Sequence, residues 1–142
     1  MKTLLTAYRT AYRVQDLARS LAWYGKVGFR EIGRVSSGDG TILAMLNLPG
    51  DGDVVTLELV DDGGRQPVAL GTGFSHIAVQ VADLAATLAD LAAKGVAFAE
   101  PQRPAGEDGP RTSFLLDPDG YRLELVQWPP GHPDDMTRAD FL

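Results

Sequence analysis

The sequence predicts an α+β fold of two tandem βαβββ modules, forming a curved, mostly antiparallel sheet around a cleft. Three observations predict it. First, Val14-Gln15-Asp16-Leu17-Ala18-Arg19-Ser20-Leu21-Ala22 returns 67 positions later as Val81-Ala82-Asp83-Leu84-Ala85-Ala86-Thr87-Leu88-Ala89, and Gly28-Phe29 returns as Gly95-Val96 at the same interval. Second, both copies run from a β-rich segment through an amphipathic one into several extended segments broken by Gly, Pro and Asp. Third, each copy closes on a glutamate between leucines, Leu57-Glu58-Leu59 and Leu123-Glu124-Leu125.

Residues 3–14, rich in Leu, Thr, Tyr and Val, read as the first strand, and Asp16 supplies an N-cap for a helix to about Lys26 that stops at Gly28. Residues 29–35, 41–48 and 53–60 follow as strands joined by short Gly-Asp turns. In the second copy residues 74–81 form the strand. Asp83 caps a helix over 84–94, apolar at Leu84, Leu88 and Leu91, and Gly95 ends it. Residues 97–100, 111–116 and 121–127 complete the module, with Asp117-Pro118-Asp119-Gly120 as a turn. The chain is therefore expected to be one domain over 1–142, built of module 1 (3–60), a linker (61–73), module 2 (74–127) and a tail (128–142) whose prolines oppose regular structure. The first strand contains a tandem duplication, Thr6-Ala7-Tyr8-Arg9 then Thr10-Ala11-Tyr12-Arg13, which leaves its register open to a four-residue slide.

Bulk composition narrows the function classes. With 44% hydrophobic and 23% charged residues the chain reads as an ordinary globular domain, and no apolar run approaches the roughly 20 residues of a membrane span. A formal charge of −6 lacks the concentrated basic surface that nucleic acid demands. There is no cysteine, and the start is too short in apolar residues before Arg9 for a signal peptide, so a cytoplasmic location is expected.

The repeat also aligns chemistry. His76 corresponds to Arg9 and Glu124 to Glu58, and side-chain alternation puts Arg9 with Ala11 and Arg13, His76 with Ala78, and Glu124 with Arg122 and Val126. The opposite faces, such as Leu57-Leu59, Ile77-Val79 and Leu123-Leu125, are apolar and should pack under the helices. One reading of the mixed faces is a solvated sheet surface with no chemistry. The other brings Glu58, Glu124 and His76 together as an O,O,N set for a divalent metal.

Gly73-Phe74-Ser75-His76-Ile77-Ala78-Val79, Leu57-Glu58-Leu59 and Asp117-Pro118-Asp119-Gly120-Tyr121-Arg122-Leu123-Glu124-Leu125 resemble the ligand-bearing segments of the vicinal-oxygen-chelate superfamily, and within it glyoxalase I. The resemblance covers about residues 3 to 127. It implies paired βαβββ modules, a homodimer and a small-molecule substrate. It also implies Zn, Ni or Co held by Glu58, His76 and Glu124, with Glu124 as the base and Glu58 as a ligand or second base. The fourth ligand position departs from the family, because Arg9 stands there and an arginine has no lone pair to give. Arg9 either bridges the two glutamates as a substitute cation or points elsewhere while water completes the site. Arg13 matches a residue that holds a carboxylate of the thiol cosubstrate, whereas Asp62 replaces an asparagine near that thiol. The activity implied is conversion of a 2-oxoaldehyde–thiol hemithioacetal to a 2-hydroxyacyl thioester. The rival is a metal-free binding protein like the bleomycin-resistance branch, with Phe74, Trp128 and Tyr12 available for stacking. A ring-cleaving iron dioxygenase ranks last, since His132 lies in the tail.

Overall fold

The computed structural model describes residues 4–142, which divide into two compact units, one ending at Ala69 and one over Leu70–Leu142. In the first, β1 (Thr10–Arg13) leads to α1 (Leu17–Val27), then β2 (Arg30–Ser36), β3 (Ile42–Asn47) and β4 (Leu57–Asp61). In the second, β5 (Ile77–Gln80) leads to α2 (Leu84–Ala93), β6 (Arg111–Leu116) and β7 (Arg122–Gln127).

The caps anticipated from the repeat begin both helices. Asp16 accepts a hydrogen bond from the Arg19 amide at 3.0 Å and Asp83 from the Ala86 amide at 3.0 Å, each satisfying a donor that the first helical turn leaves orphaned. Gly28 ends α1 at φ +123°, a conformation that a side chain would strain. Each helix then buries one stripe: Leu17, Ser20 and Tyr24 from α1, and Leu84, Leu88 and Leu91 from α2. Against these stripes lie the odd-numbered leucines of the late strands, Leu57, Leu59, Leu123 and Leu125, all buried. Each such side chain contributes about 1.5–3 kcal/mol by leaving water. In the first unit Phe29 meets Tyr24 edge-on, and the Tyr24 hydroxyl bonds the hydroxyl of Tyr12.

The sheet arrangement corrects the expectation of one curved, mostly antiparallel sheet around a cleft. The strands form two separate mixed sheets, neither curved nor closed: four strands in the order β1-β4-β3-β2 and three in the order β5-β7-β6. The cause is the helical crossover. It returns the chain in the same direction, so β1 pairs parallel to β4 and β5 parallel to β7, and hydrogen bonding is met within each module. The second module also lacks its expected strand over 97–100. Pro101 has no N–H to give the ladder, and only a backbone bond from Ala99 to Phe114 and an isolated bridge, Gln102 to Thr112, remain.

Other boundaries shift for local reasons. The first strand begins at Thr10, so the second copy of the TAYR duplication makes the ladder; Thr3 of the expected strand lies outside the described residues. Strand β4 starts at Leu57 because the preceding segment is held as a loop. There Asn47, fully buried, donates to the carbonyls of Gly52 and Val54, while Asp51 accepts from the Leu48 amide and Thr56 hydroxyl.

The tail is more ordered than its prolines suggest. Gln80 and Asp135 exchange two hydrogen bonds, His132 stacks on Trp128 with centroids 4.0 Å apart, and a single 3-10 turn covers Arg138–Phe141. Hydrogen bonding to Asp140 raises the His132 pKa above its ordinary value. Among the described residues no helix is long and apolar enough to cross a membrane.

Replacing Asp16 or Asp83 by alanine should each cost about 1 kcal/mol of stability, read as a lower urea midpoint at unchanged m-value. Glycine at either position should cost only a few tenths as much.

Candidate functional site

Parallel pairing sets the site residues in corresponding places. Ala11 is the register partner of Glu58 on β4, and Ala78 the register partner of Glu124 on β7. Two residues earlier, immediately before β1 and β5 begin, stand Arg9 and His76. Each unit therefore sets one basic side chain beside one late-strand glutamate, as the sequence correspondence of Arg9 with His76 and Glu58 with Glu124 anticipates.

The two pairs behave differently. In the first unit Arg9 closes on Glu58: Nε donates to Oε1 at 2.8 Å and Nη2 reaches the same oxygen at 2.7 Å. The guanidinium also stacks on Tyr8, 4.3 Å from its centroid. Glu58 is 8% exposed, so a charge-assisted bond of this kind meets a carboxylate with little access to water. The same bond raises the Arg9 pKa above its ordinary value, keeping the guanidinium protonated at any working pH. In the second unit His76 Nε2 is 3.8 Å from Glu124 Oε1, outside hydrogen-bond reach. The Nδ1 atom of His76 is engaged by Ser75 Oγ at 2.7 Å, and the Phe114 ring meets the imidazole edge-on, centroids 5.5 Å apart. One pair is thus bonded shut, and the other is not hydrogen-bonded and keeps both side chains partly exposed.

Arg13 turns to the linker. It donates to Asp62 Oδ2 at 3.0 Å and to the carbonyls of Gln66 and Pro67 at 3.2 and 3.3 Å. Asp62 in turn accepts from the amides of Gly64 and Arg65. The three aromatics considered for ligand stacking are also engaged within the protein: Tyr12 is buried, Phe74 meets Tyr121 edge-on, and Trp128 carries His132.

The expected divalent metal, Zn, Ni or Co on Glu58, His76 and Glu124, is corrected by this geometry. Among the described residues no group of three or more His, Cys, Asp or Glu side chains could hold a metal ion. The donor chemistry explains why. Arg9 occupies Glu58 and has no lone pair to offer, and what remains in the second unit is one imidazole and one carboxylate, short of the ligand set such ions take.

Two participants escaped the sequence reading. Phe114 becomes a neighbour of His76 and Glu124 only through the β6–β7 register, in which it is the partner of Glu124. Arg122 was visible as a same-face neighbour of Glu124, but its guanidinium stacks on Phe114 with Cζ 4.1 Å from the centroid. Strand parity combined with the register would have found both.

Repeated β-α-β units, each setting a basic residue beside a late-strand glutamate, define a duplicated α+β fold. The chain belongs to the Glyoxalase/Bleomycin resistance protein/Dioxygenase superfamily, whose family model matches residues 7–125. It is 31% identical over 120 residues to a probable lactoylglutathione lyase of Vibrio parahaemolyticus, covering 83% of this chain and 87% of that protein. To a probable lactoylglutathione lyase of Synechocystis it is 32% identical over 121 residues, covering 83% and 92%. Among solved structures it is similar to the trypanothione-dependent glyoxalase I of Leishmania major, with a TM-score of 0.70, 28% identity and 87% coverage of both chains.

Because Glu58 is nearly enclosed, Arg9→Gln should lower the urea midpoint more than Arg34→Gln, which breaks an exposed pair with Glu31. Adding Glu58→Gln to Arg9→Gln should recover part of the loss. Equal effects of the two single substitutions would place Arg9 in bulk solvent.

Proposed function

We propose that the chain is a lyase of the glyoxalase I kind, converting the hemithioacetal of a 2-oxoaldehyde and a thiol into a 2-hydroxyacyl thioester. The observation that carries the proposal is the open His76–Glu124 pair, 3.8 Å apart and both partly exposed. Enolisation needs a base for the carbon-bound proton and a donor for the oxyanion that develops. Glu124 removes the proton. In the tautomer in which Ser75 donates to Nδ1, the imidazole carries its proton on Nε2 and can donate to the enediolate oxygen. A carboxylate base facing an imidazole donor is an established solution to this problem. Glu124, now protonated, returns the proton to the neighbouring carbon. The imidazole gives its Nε2 proton to the oxygen of the former carbonyl and takes one back from the hydroxyl on the thiol-bearing carbon, so the net change moves one hydrogen between adjacent carbons and one proton between their oxygens, balanced without an outside oxidant or reductant. No step runs through a metal.

The lyase relatives at 31% and 32% identity support the reaction class. A homodimer, a cytoplasmic location and a single 1–142 domain belong to the same proposal, drawn from the family and from composition. A second reading, a protein that binds a small molecule without changing it, is favoured by one observation: Arg9 and Glu58 satisfy each other, which takes Glu58 out of use as a ligand or second base.

The test follows thioester formation from methylglyoxal mixed with a panel of thiols. Wild type should turn over, and Glu124→Gln should reduce kcat by at least about a hundredfold, the ordinary worth of a positioned base. Saturable binding of the hemithioacetal without turnover would favour the second reading, and undiminished kcat in Glu124→Gln would remove Glu124 as the base.

A further inference from the structure

On the site-bearing face of the second unit, beyond the proton-handling pair, one group has no assigned role. Arg122 lies two residues before Glu124 on β7, so both side chains leave the same face of the strand. Its guanidinium stacks on Phe114, whose ring also meets His76. Among the described residues Arg122 forms no ion pair, although the first unit uses Arg9 to neutralise the corresponding glutamate.

Stacking matters because it restricts a long side chain without using its donors. A guanidinium lying on a ring keeps its N–H groups in the guanidinium plane, so a planar acceptor can approach edge-on in the bidentate manner that suits a carboxylate. The entropy cost of ordering an arginine is then partly met before any ligand arrives. Phe114 ties this fork to the reacting pair, since its backbone partner is Glu124 and its ring touches the imidazole. Residues two apart on a strand are separated by roughly 7 Å. We propose that Arg122, held on Phe114, is a carboxylate-binding subsite, and that the substrate carries a carboxylate roughly 7 Å from the carbon presented to Glu124 and His76.

This subsite rests on the lyase proposal for the identity of the reacting carbon, but carboxylate binding itself does not depend on turnover. The experiment therefore has two arms. In the first, hemithioacetals of 2-mercaptoethanol with 4-carboxyphenylglyoxal and with unsubstituted phenylglyoxal are compared as substrates. The para carboxylate provides the required separation and the thiol adds no charge. Wild type should prefer the carboxylated substrate, chiefly through KM. Arg122→Gln should cut that preference by at least about tenfold, the low end of what a hydrogen bond to a charged group contributes. Arg122→Lys should keep part of it. Phe114→Leu, which leaves every charge in place, should lower it as well.

The second arm measures equilibrium binding of 4-carboxymandelate and mandelate, which resemble the products and need no catalysis. The carboxylated compound should bind wild type more tightly than mandelate, and Arg122→Gln should abolish the difference. If neither substrate turns over but this difference is present, the lyase reading fails and the subsite stands. If wild type shows no preference in either arm, or Arg122→Gln leaves the preference intact, the subsite is overturned whatever the activity.

Discussion

Parallel pairing between the first and last strand of each module is the constraint from which the site follows. A helical crossover forces β1 to run with β4 and β5 with β7, and the registers then match: Ala11 with Glu58, Ala78 with Glu124. A shift of one residue would turn both glutamates toward the helices and drive the buried leucines beside them into water. The apolar face and the polar face are thus fixed by the same register. Burial of Leu57, Leu59, Leu123 and Leu125 holds Glu58 and Glu124 where a strand-one side chain can reach them.

Much of this was legible in the chain. Asp16 and Asp83 announce helix starts because a short acceptor before an apolar stripe has few other uses, and Gly28 tolerates the positive φ that ends α1. The correspondence of Arg9 with His76 and Glu58 with Glu124 needed only a constant interval. Sheet closure was not legible. Strand alternation says which side a residue takes but not which strands share hydrogen bonds, so the division into two mixed sheets emerged only from the pairings. The segment over 97–100 looked like a strand by composition, and Pro101 removed a donor the ladder would have needed. The bonding choice of Arg9, left open between two alternatives, depended on a side-chain contact that no spacing specifies. Arg122 and Phe114 depended on the register of β6 against β7, which the hydrophobic pattern leaves unstated.

Duplication gives the protein two copies of one local construction, and the residue types in them have diverged. A guanidinium keeps its charge and offers only donors, so in the first unit it converts a glutamate from a potential ligand or base into half of an ion pair. An imidazole can both accept and donate, and at 3.8 Å it leaves the second glutamate accessible to a ligand. The proposed chemistry therefore rests on the second copy, while in the first Arg9 makes a polar contact to a nearly enclosed carboxylate. Superfamily membership supplies a fold that hosts several activities, and the proposal among them rests on these side chains.

The pairing of Arg9 with Glu58 is tested most directly by equilibrating the purified protein separately with Zn²⁺, Ni²⁺ and Co²⁺, removing free ion, and measuring bound metal per chain. With Glu58 held by a guanidinium and no three-ligand group among the described residues, each ion should be recovered well below one per chain. Retention of one ion per chain, lost on Glu58→Gln, would show that Arg9 releases its partner in solution and would contradict the pairing.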